Sequence, residues 1–292
     1  MTDDERPGRP VRPDGRPQVD ASAPNVARVW DYLTGGRDNF DADRKAARQL
    51  VKAAPSMEHA GRAARDFLAR ATRYLAEEIG IRQFLDIGTG IPAPGSIHDT
   101  AQAVAPSCRV VCVDNDPVVL SHARALLRPA PGGATSFVDA DVRKPGKILA
   151  EAGDTLDFAR PVAVVMNHLL NYVPRDAEVR SILDTVMDAA CPGSHLVVLH
   201  PASDLDPGLP EAARRWNKIS TAQVVLRGQS EVAAWFSGLD LLDPGVVPVT
   251  DWRPDAARAS SSAPASSSAT AGSPGGDSLP VIPLYGAVGR KA

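Results

Sequence analysis

Three short apolar runs of this chain each end in residues able to bind a polar ligand. Phe84-Leu85-Asp86-Ile87 runs into Gly88-Thr89-Gly90, Val110-Val111-Cys112-Val113 into Asp114-Asn115, and Phe137-Val138 into Asp139-Ala140-Asp141-Val142. Glycine is needed where a backbone must turn sharply and come close to a ligand. The helix expected after the first turn, starting near Ser96, would offer its N-terminus to that ligand. An acid closing the second run can accept both hydroxyls of a ribose. Asp141 can accept from an exocyclic amine while the backbone N–H of Val142 donates to a ring nitrogen. Taken singly, each acid is equally a solvated strand end or a helix cap. The ordered series points to a nucleoside-containing ligand.

The runs alternate with helical patterns, and that alternation dictates how they are positioned. Apolar runs at 84–87, 110–113, 136–138, 162–166 and 196–199 are separated by helical stretches near 96–105, 117–127, 145–151 and 176–190. Strands apolar on both faces and separated by helices make a parallel sheet covered on both sides. Right-handed crossovers then give a doubly wound α/β domain, whose strand ends share one crevice. Ahead of the first strand, Val26, Val29, Trp30 and Leu33 follow helical spacing and stop at Gly35-Gly36. A second helix starts near Asp41, with Asp41 as N-cap and Asp43 in its first turn, and a third runs from about Ser56 to Ile79. Together they form an N-terminal cap over residues 24–80.

Past His200 the alternation stops. A helix over 211–219, a helix capped by Ser230, a bent strand within 239–252 and a last strand over 284–290 are expected. Residues 1–23 carry almost nothing to bury and read as a disordered tail. Residues 256–279 are nearly all Ser, Ala, Pro, Gly and Asp and read as a flexible insertion. The ligand-binding domain therefore comprises 81–255 and 280–292.

Composition narrows the function. The 292 residues are 43% hydrophobic with a net charge of −3, so no strong positive field exists to attract a polyanion. No apolar run is long enough to span a bilayer, and the N-terminus has no secretory apolar core. Three cysteines, Cys108, Cys112 and Cys191, form no CxxC pair, and the six histidines form no HxxxH. Neither a disulfide framework nor a metal centre is expected, and the cytoplasm is the expected compartment.

The motifs Ala27-Arg28-Val29-Trp30-Asp31-Tyr32-Leu33-Thr34-Gly35-Gly36-Arg37-Asp38-Asn39-Phe40, Phe84 to Pro92, Val113-Asp114-Asn115-Asp116-Pro117 and Tyr285 to Lys291 carry a specific likeness. The chain resembles class I S-adenosylmethionine (SAM)-dependent methyltransferases, most closely an actinobacterial family formerly described as a domain of unknown function. The resemblance implies a seven-stranded, mostly parallel, Rossmann-like sheet whose last two strands form an antiparallel hairpin. It implies SAM as cofactor, with Asp86, Gly88, Thr89 and Gly90 beside its methionine part and Asp114 on the ribose. Asn115, Asp141 and Val142 would hold the adenine, and Asn167 completes the set. A small-molecule methyl acceptor is expected, with no nucleic acid or membrane partner.

Two departures from the family pattern stand out. Pro92 takes the place of a third glycine, with Gly95 further on. In Asn167-His168-Leu169-Leu170-Asn171-Tyr172-Val173-Pro174, Asn171 takes the place of a histidine in relatives and cannot accept a full proton. The candidates for acting on the acceptor are His168, just past the fourth strand, and Asp38, which with Asn39 is either a lid contact or a loop tie. His98 would shape the cofactor site, while Trp30 and Tyr32 read as core packing. Two other classes compete: a SAM-binding regulatory module without catalysis, motivated by Asn171, and a dinucleotide-dependent oxidoreductase. The latter lacks GxGxxG spacing and leaves the acids Asp139 and Asp141 without a role.

Overall fold

A computed structural model describes residues 19–254 and 281–292. Residues 1–18 and 255–280 lie outside the described residues, and so do most of the expected disordered tail and the whole of the insertion expected at 256–279.

Three helices precede the sheet: α1 (Val26–Leu33), α2 (Asp41–Ala53) and α3 (Met57–Glu77). Asn25 caps α1, its side-chain oxygen accepting the Arg28 N–H at 3.3 Å. The N-cap of α2 is Phe40 rather than Asp41, because the Asp43 carboxylate reaches back to accept the Phe40 N–H at 2.8 Å. The same carboxylate accepts the Asn25 N–H at 2.8 Å and pairs with Arg28 Nε at 2.8 Å. Asp43 is fully buried and Arg28 nearly so. This ion pair fastens the start of α1 to α2.

The sheet comprises β1 (Gln83–Ile87), β2 (Arg109–Asp114), β3 (Ala134–Asp139), β4 (Ala163–Asn167), β5 (His195–Pro201), β6 (Asp240–Leu241), β7 (Val247–Pro248) and β8 (Leu284–Arg290). Its order is β3-β2-β1-β4-β5-β8-β6, with β7 also on β8. The first five strands are parallel, and β8 runs antiparallel to β5, β6 and β7. The expected bent strand is thus two short pieces on one edge, and counted as one strand it makes seven. Between the strands lie α4 (Ile97–Val104), α5 (Pro117–Leu126), α6 (Pro145–Ala152), α7 (Asp176–Ala189), α8 (Leu209–Ile219) and α9 (Gln229–Ala234). Gly228 is the N-cap of α9, its N–H donating to Glu231, so Ser230 falls within the first turn instead of capping it.

Successive strand residues point to opposite sides, and the two cores show it. Phe84, Val110, Val197 and Leu284 pack with Phe67 and Leu75 of α3. Leu85, Val111, Val164 and Leu196 pack with Ile182 and Val186 of α7. The cap therefore covers one face of the sheet. The approach of α3 is close: a Cβ at Gly286 of β8 would lie 2.7 Å from the Phe67 ring. Among the described residues no helix is long and apolar enough to cross a membrane.

Candidate active site

The ends of β1, β2 and β4 and the turn after β3 converge on one cavity of about 840 Å³, within the size range of small-molecule sites. Asp86, Gly88, Thr89, Gly90, Asp114, Asn115, Asp141, Val142, Asn167 and His168 all line it. The sheet register explains the convergence. Ile87 lies beside Val113 of β2 and Met166 of β4, so the residues following each strand emerge together.

The loop after β1 is tied to β2. The N–H groups of Gly88 and Thr89 donate to the Val113 carbonyl at 2.8 and 3.1 Å. Gly88 (φ +81°) and Gly90 (φ +68°) adopt the left-handed conformation that favours glycine. A Cβ at Gly88 would meet the Leu169 side chain at 3.0 Å, whereas at Gly90 it would meet no protein atom within 4 Å. Gly90 thus opens the loop backbone to a ligand.

Two carboxylates stand behind this loop, Asp86 buried and Asp114 half-buried. Asp86 accepts the Thr89 hydroxyl at 2.6 Å. Burial pushes its carboxyl up to about 7, the Thr89 bond opposes this, and the neighbouring Asp114 charge adds to it. Asp114 accepts the N–H of Gly90 at 3.0 Å and of Asp116 at 2.8 Å. Burial raises it to about 6 against those backbone donors. A cation brought between them would favour both ionised forms. Asp141 accepts the Arg143 N–H at 2.9 Å and the Asn115 amide at 3.2 Å, which joins the ends of β2 and β3. Asn167 Oδ1 is buried without a hydrogen-bond partner.

His168 has φ +47° and stacks on Trp30 of the cap, ring centroids 4.1 Å apart. Burial lowers its imidazole to about 3, so the ring is neutral at any ordinary pH. Asp38 does not line the cavity. Its carboxylate is 3.9 Å from His122 on α5, and its N–H donates to Asp31 at 2.9 Å. Asn39 also donates to Asp31, at 2.8 Å. These bonds have the form of a loop tie. Asn171 is not among the residues lining the large cavity either. His98 does line it, with Nδ1 3.0 Å from the Ser96 hydroxyl.

The cap contributes more than sequence reasoning anticipated. Asn25, Val26, Trp30, Asp31 and Thr34 line the cavity from α1 and its two caps, and Gly61, Ala64, Arg65 and Leu68 line it from α3. The α3 set follows i, i+3, i+4, i+7, the spacing of one helical face. Its two small residues beside an arginine were the available signal. Trp30 is a wall residue as well as packing. Arg65 donates to the Thr34 hydroxyl at 2.6 Å, and half-burial lowers its guanidinium pKa. The Asn25 side chain donates to Asp116, binding the start of α1 to the start of α5. No group of three or more His, Cys, Asp or Glu among the described residues could hold a metal ion.

A parallel sheet with an antiparallel last strand, a glycine turn after β1 and acids at the ends of β2 and β3 define the class I SAM-dependent methyltransferases. Residues 13–275 match the S-adenosyl methyltransferase family, and the chain belongs to it. A DUF574 family protein from Streptomyces avermitilis MA-4680 is 37% identical, with a TM-score of 0.85 over 94% of this chain and 100% of that one. A protein from Thermobifida fusca YX is 36% identical, with a TM-score of 0.80 over 93% and 96%. No curated protein matches the chain. The chain is a SAM-dependent methyltransferase, and the dinucleotide alternative falls with that assignment.

The cavity suits this cofactor. Its open glycine backbone, the unpartnered Asn167 oxygen and the acids Asp86 and Asp114 are compatible with a cationic, ribose-bearing ligand.

Proposed function

We propose that the chain methylates a small molecule enclosed between the cap and the strand ends. The observation that carries this reading is the shared wall. Trp30, Asp31 and Arg65 of the cap line the same cavity as Asn167, His168 and the cofactor-type residues. Asp141, Val142 and Asn115 are assigned to the adenine, Asp114 to the ribose, and Asp86, Gly88, Thr89, Gly90 and Asn167 to the methionine end. Arg65 is the cation suited to the carboxylate there. When bound, the cofactor supplies a sulfonium methyl group open to in-line displacement.

The remaining chemistry belongs to the chain. Asp86 and Asp114 in their ionised forms stabilise positive charge at the loop. The cap excludes water, and the rigid strand ends hold two reactants in register, which can supply much of the rate. His168, whose pKa burial lowers, is a weak base, and Asp38 is outside the cavity, so neither is assigned proton removal. Asp31, Asp86, Asp114, Asp116 and Asp141 give the wall a negative character that disfavours a phosphate backbone. Three thiols without disulfides suit a reducing compartment, in line with a cytoplasmic enzyme.

Incubating the protein with methyl-labelled SAM and fractionated cell extract tests the reading. Label in the small-molecule fraction is expected. Label confined to protein or nucleic acid would overturn the acceptor class. SAM binding with no label in any fraction would identify a non-catalytic SAM-binding module.

A further inference from the structure

His168 and Asn171 are buried polar residues whose ring nitrogens and amide oxygen have no partner within the protein. His168 holds a left-handed backbone, which strains a residue other than glycine. The residue is 7% exposed, and neither ring nitrogen has a hydrogen-bond partner within the protein. Three residues on, Asn171 is 2% exposed and its side-chain oxygen is also unpartnered. Each such atom costs roughly 1–3 kcal/mol when it stays unpaired, so a ligand group able to donate and accept here would be stabilised.

Behind the Trp30–His168 stack lies a second cavity of about 60 Å³. Its walls are mostly apolar, with Val29, Leu50, Leu209 and Trp216 among them, and its polar edge is His168, Asn171 and Tyr172. It shares Val26, Trp30, His168 and Tyr172 with the large cavity. The two spaces therefore meet at the stacked pair.

We propose that this second cavity is an acceptor subsite, taking a short uncharged branch of the methyl acceptor that carries a hydroxyl bonded to His168 and Asn171. The proposal rests on the methyltransferase reading and adds the chemical class of the acceptor at this end. Size sets the length of the branch. A cavity of ~150 Å³ holds benzene, or ~25 Å³ per carbon, so this one takes about two to three heavy atoms. The polar edge sets the chemistry. A neutral imidazole offers one N–H and one lone pair, and the Asn171 oxygen needs a donor. A hydroxyl both donates and accepts. A carboxylate cannot donate to Asn171, an ammonium cannot accept from the imidazole, and neither ion finds a counter-charge against these apolar walls.

The test uses the full chain with ¹³C-labelled histidine and follows the His168 ring signal by NMR. That signal is assigned by its loss in His168→Asn. Ethanol, acetate and ethylammonium are titrated in turn, with and without S-adenosylhomocysteine. Ethanol is expected to shift the His168 signal saturably, with an affinity at least about tenfold tighter than either ion. Ala213→Leu, which fills the cavity from half-exposed α8, is expected to remove the response. No saturable shift with ethanol, an equal response to all three probes, or an unchanged response in Ala213→Leu would overturn the subsite. S-adenosylhomocysteine binding in the same samples separates the two ideas. If it binds and ethanol does not, the subsite alone fails; if ethanol binds and it does not, the cofactor assignment fails and the ligand site stands.

Discussion

The Asp114 carboxylate, at the end of β2, accepts the backbone N–H of Gly90 in the loop after β1 at 3.0 Å. This side chain therefore holds the glycine turn together with the Gly88 and Thr89 bonds to Val113, while it also lines the cavity wall. With Asp114 on the ribose, as proposed, loop geometry and cofactor affinity are coupled through this residue.

Asp114→Ala should accordingly do two things. Without any ligand, amide exchange at residues 88–90 should rise, because the loop loses its charge-assisted anchor. Cofactor affinity should fall by about 100-fold, the scale of one or two hydrogen bonds to a charged group. Hydrogen-exchange mass spectrometry and calorimetry read the two effects, and a variant that loses affinity with an unchanged loop would contradict the coupling.

Asp86 makes stability depend on pH. It ionises near 7 in the folded chain and near ~3.9 when unfolded. Between those values the folded state holds the extra proton, so this contribution is present at low pH and is lost as pH rises through about 7. Asp86→Asn should remove the loss. Its stability relative to the parent should improve from pH 5 to pH 8 by roughly 2–4 kcal/mol, measured by urea unfolding. Identical pH slopes in the two proteins would contradict the buried-acid account.

The same acid should make cofactor binding release protons. A cation beside Asp86 favours its ionised form, so SAM affinity should rise with pH from 5.5 to about 7. The binding heat at pH 6.5 should vary with the ionisation enthalpy of the buffer. A buffer-independent heat would exclude this linkage.

Arg28→Ala leaves Asp43 buried with its two backbone donors but without its charged partner, at a cost of about 3–5 kcal/mol. Because that pair fastens the start of α1, a thermal melt should show the drop, and exchange should rise first across α1 and α2. Uniform destabilisation with no local loosening of the cap would count against the fastening role.

Gly286 and Phe67 offer a test of how α3 sits on the sheet. Gly286→Ala places a Cβ within 2.7 Å of the ring and should destabilise by about 1–3 kcal/mol. Adding Phe67→Leu should recover part of that loss. If the second change only adds to the first, the contact is not what limits position 286.

Much of this arrangement was legible in the residues. Apolar runs ending in Asp86, Asp114 and Asp141 announced the strands and the crevice, because strand periodicity and glycine turns are local signals. The cap's share of the cavity was not legible, since the side of α1 or α3 that faces a ligand depends on tertiary packing. Asp38 shows the limit well. Its position after Gly35-Gly36 allowed a lid contact or a loop tie, and only the fold brings it to His122 and Asp31. Asn171 was readable as a departure from relatives, but not as a residue of a separate cavity.

Calorimetric titration of S-adenosylhomocysteine into the purified full chain tests the central claim most directly. Saturable one-to-one binding, abolished or weakened by about 100-fold in Asp114→Ala, is the predicted result. No binding heat at millimolar ligand in the parent chain, across buffers of different ionisation enthalpy, would contradict it.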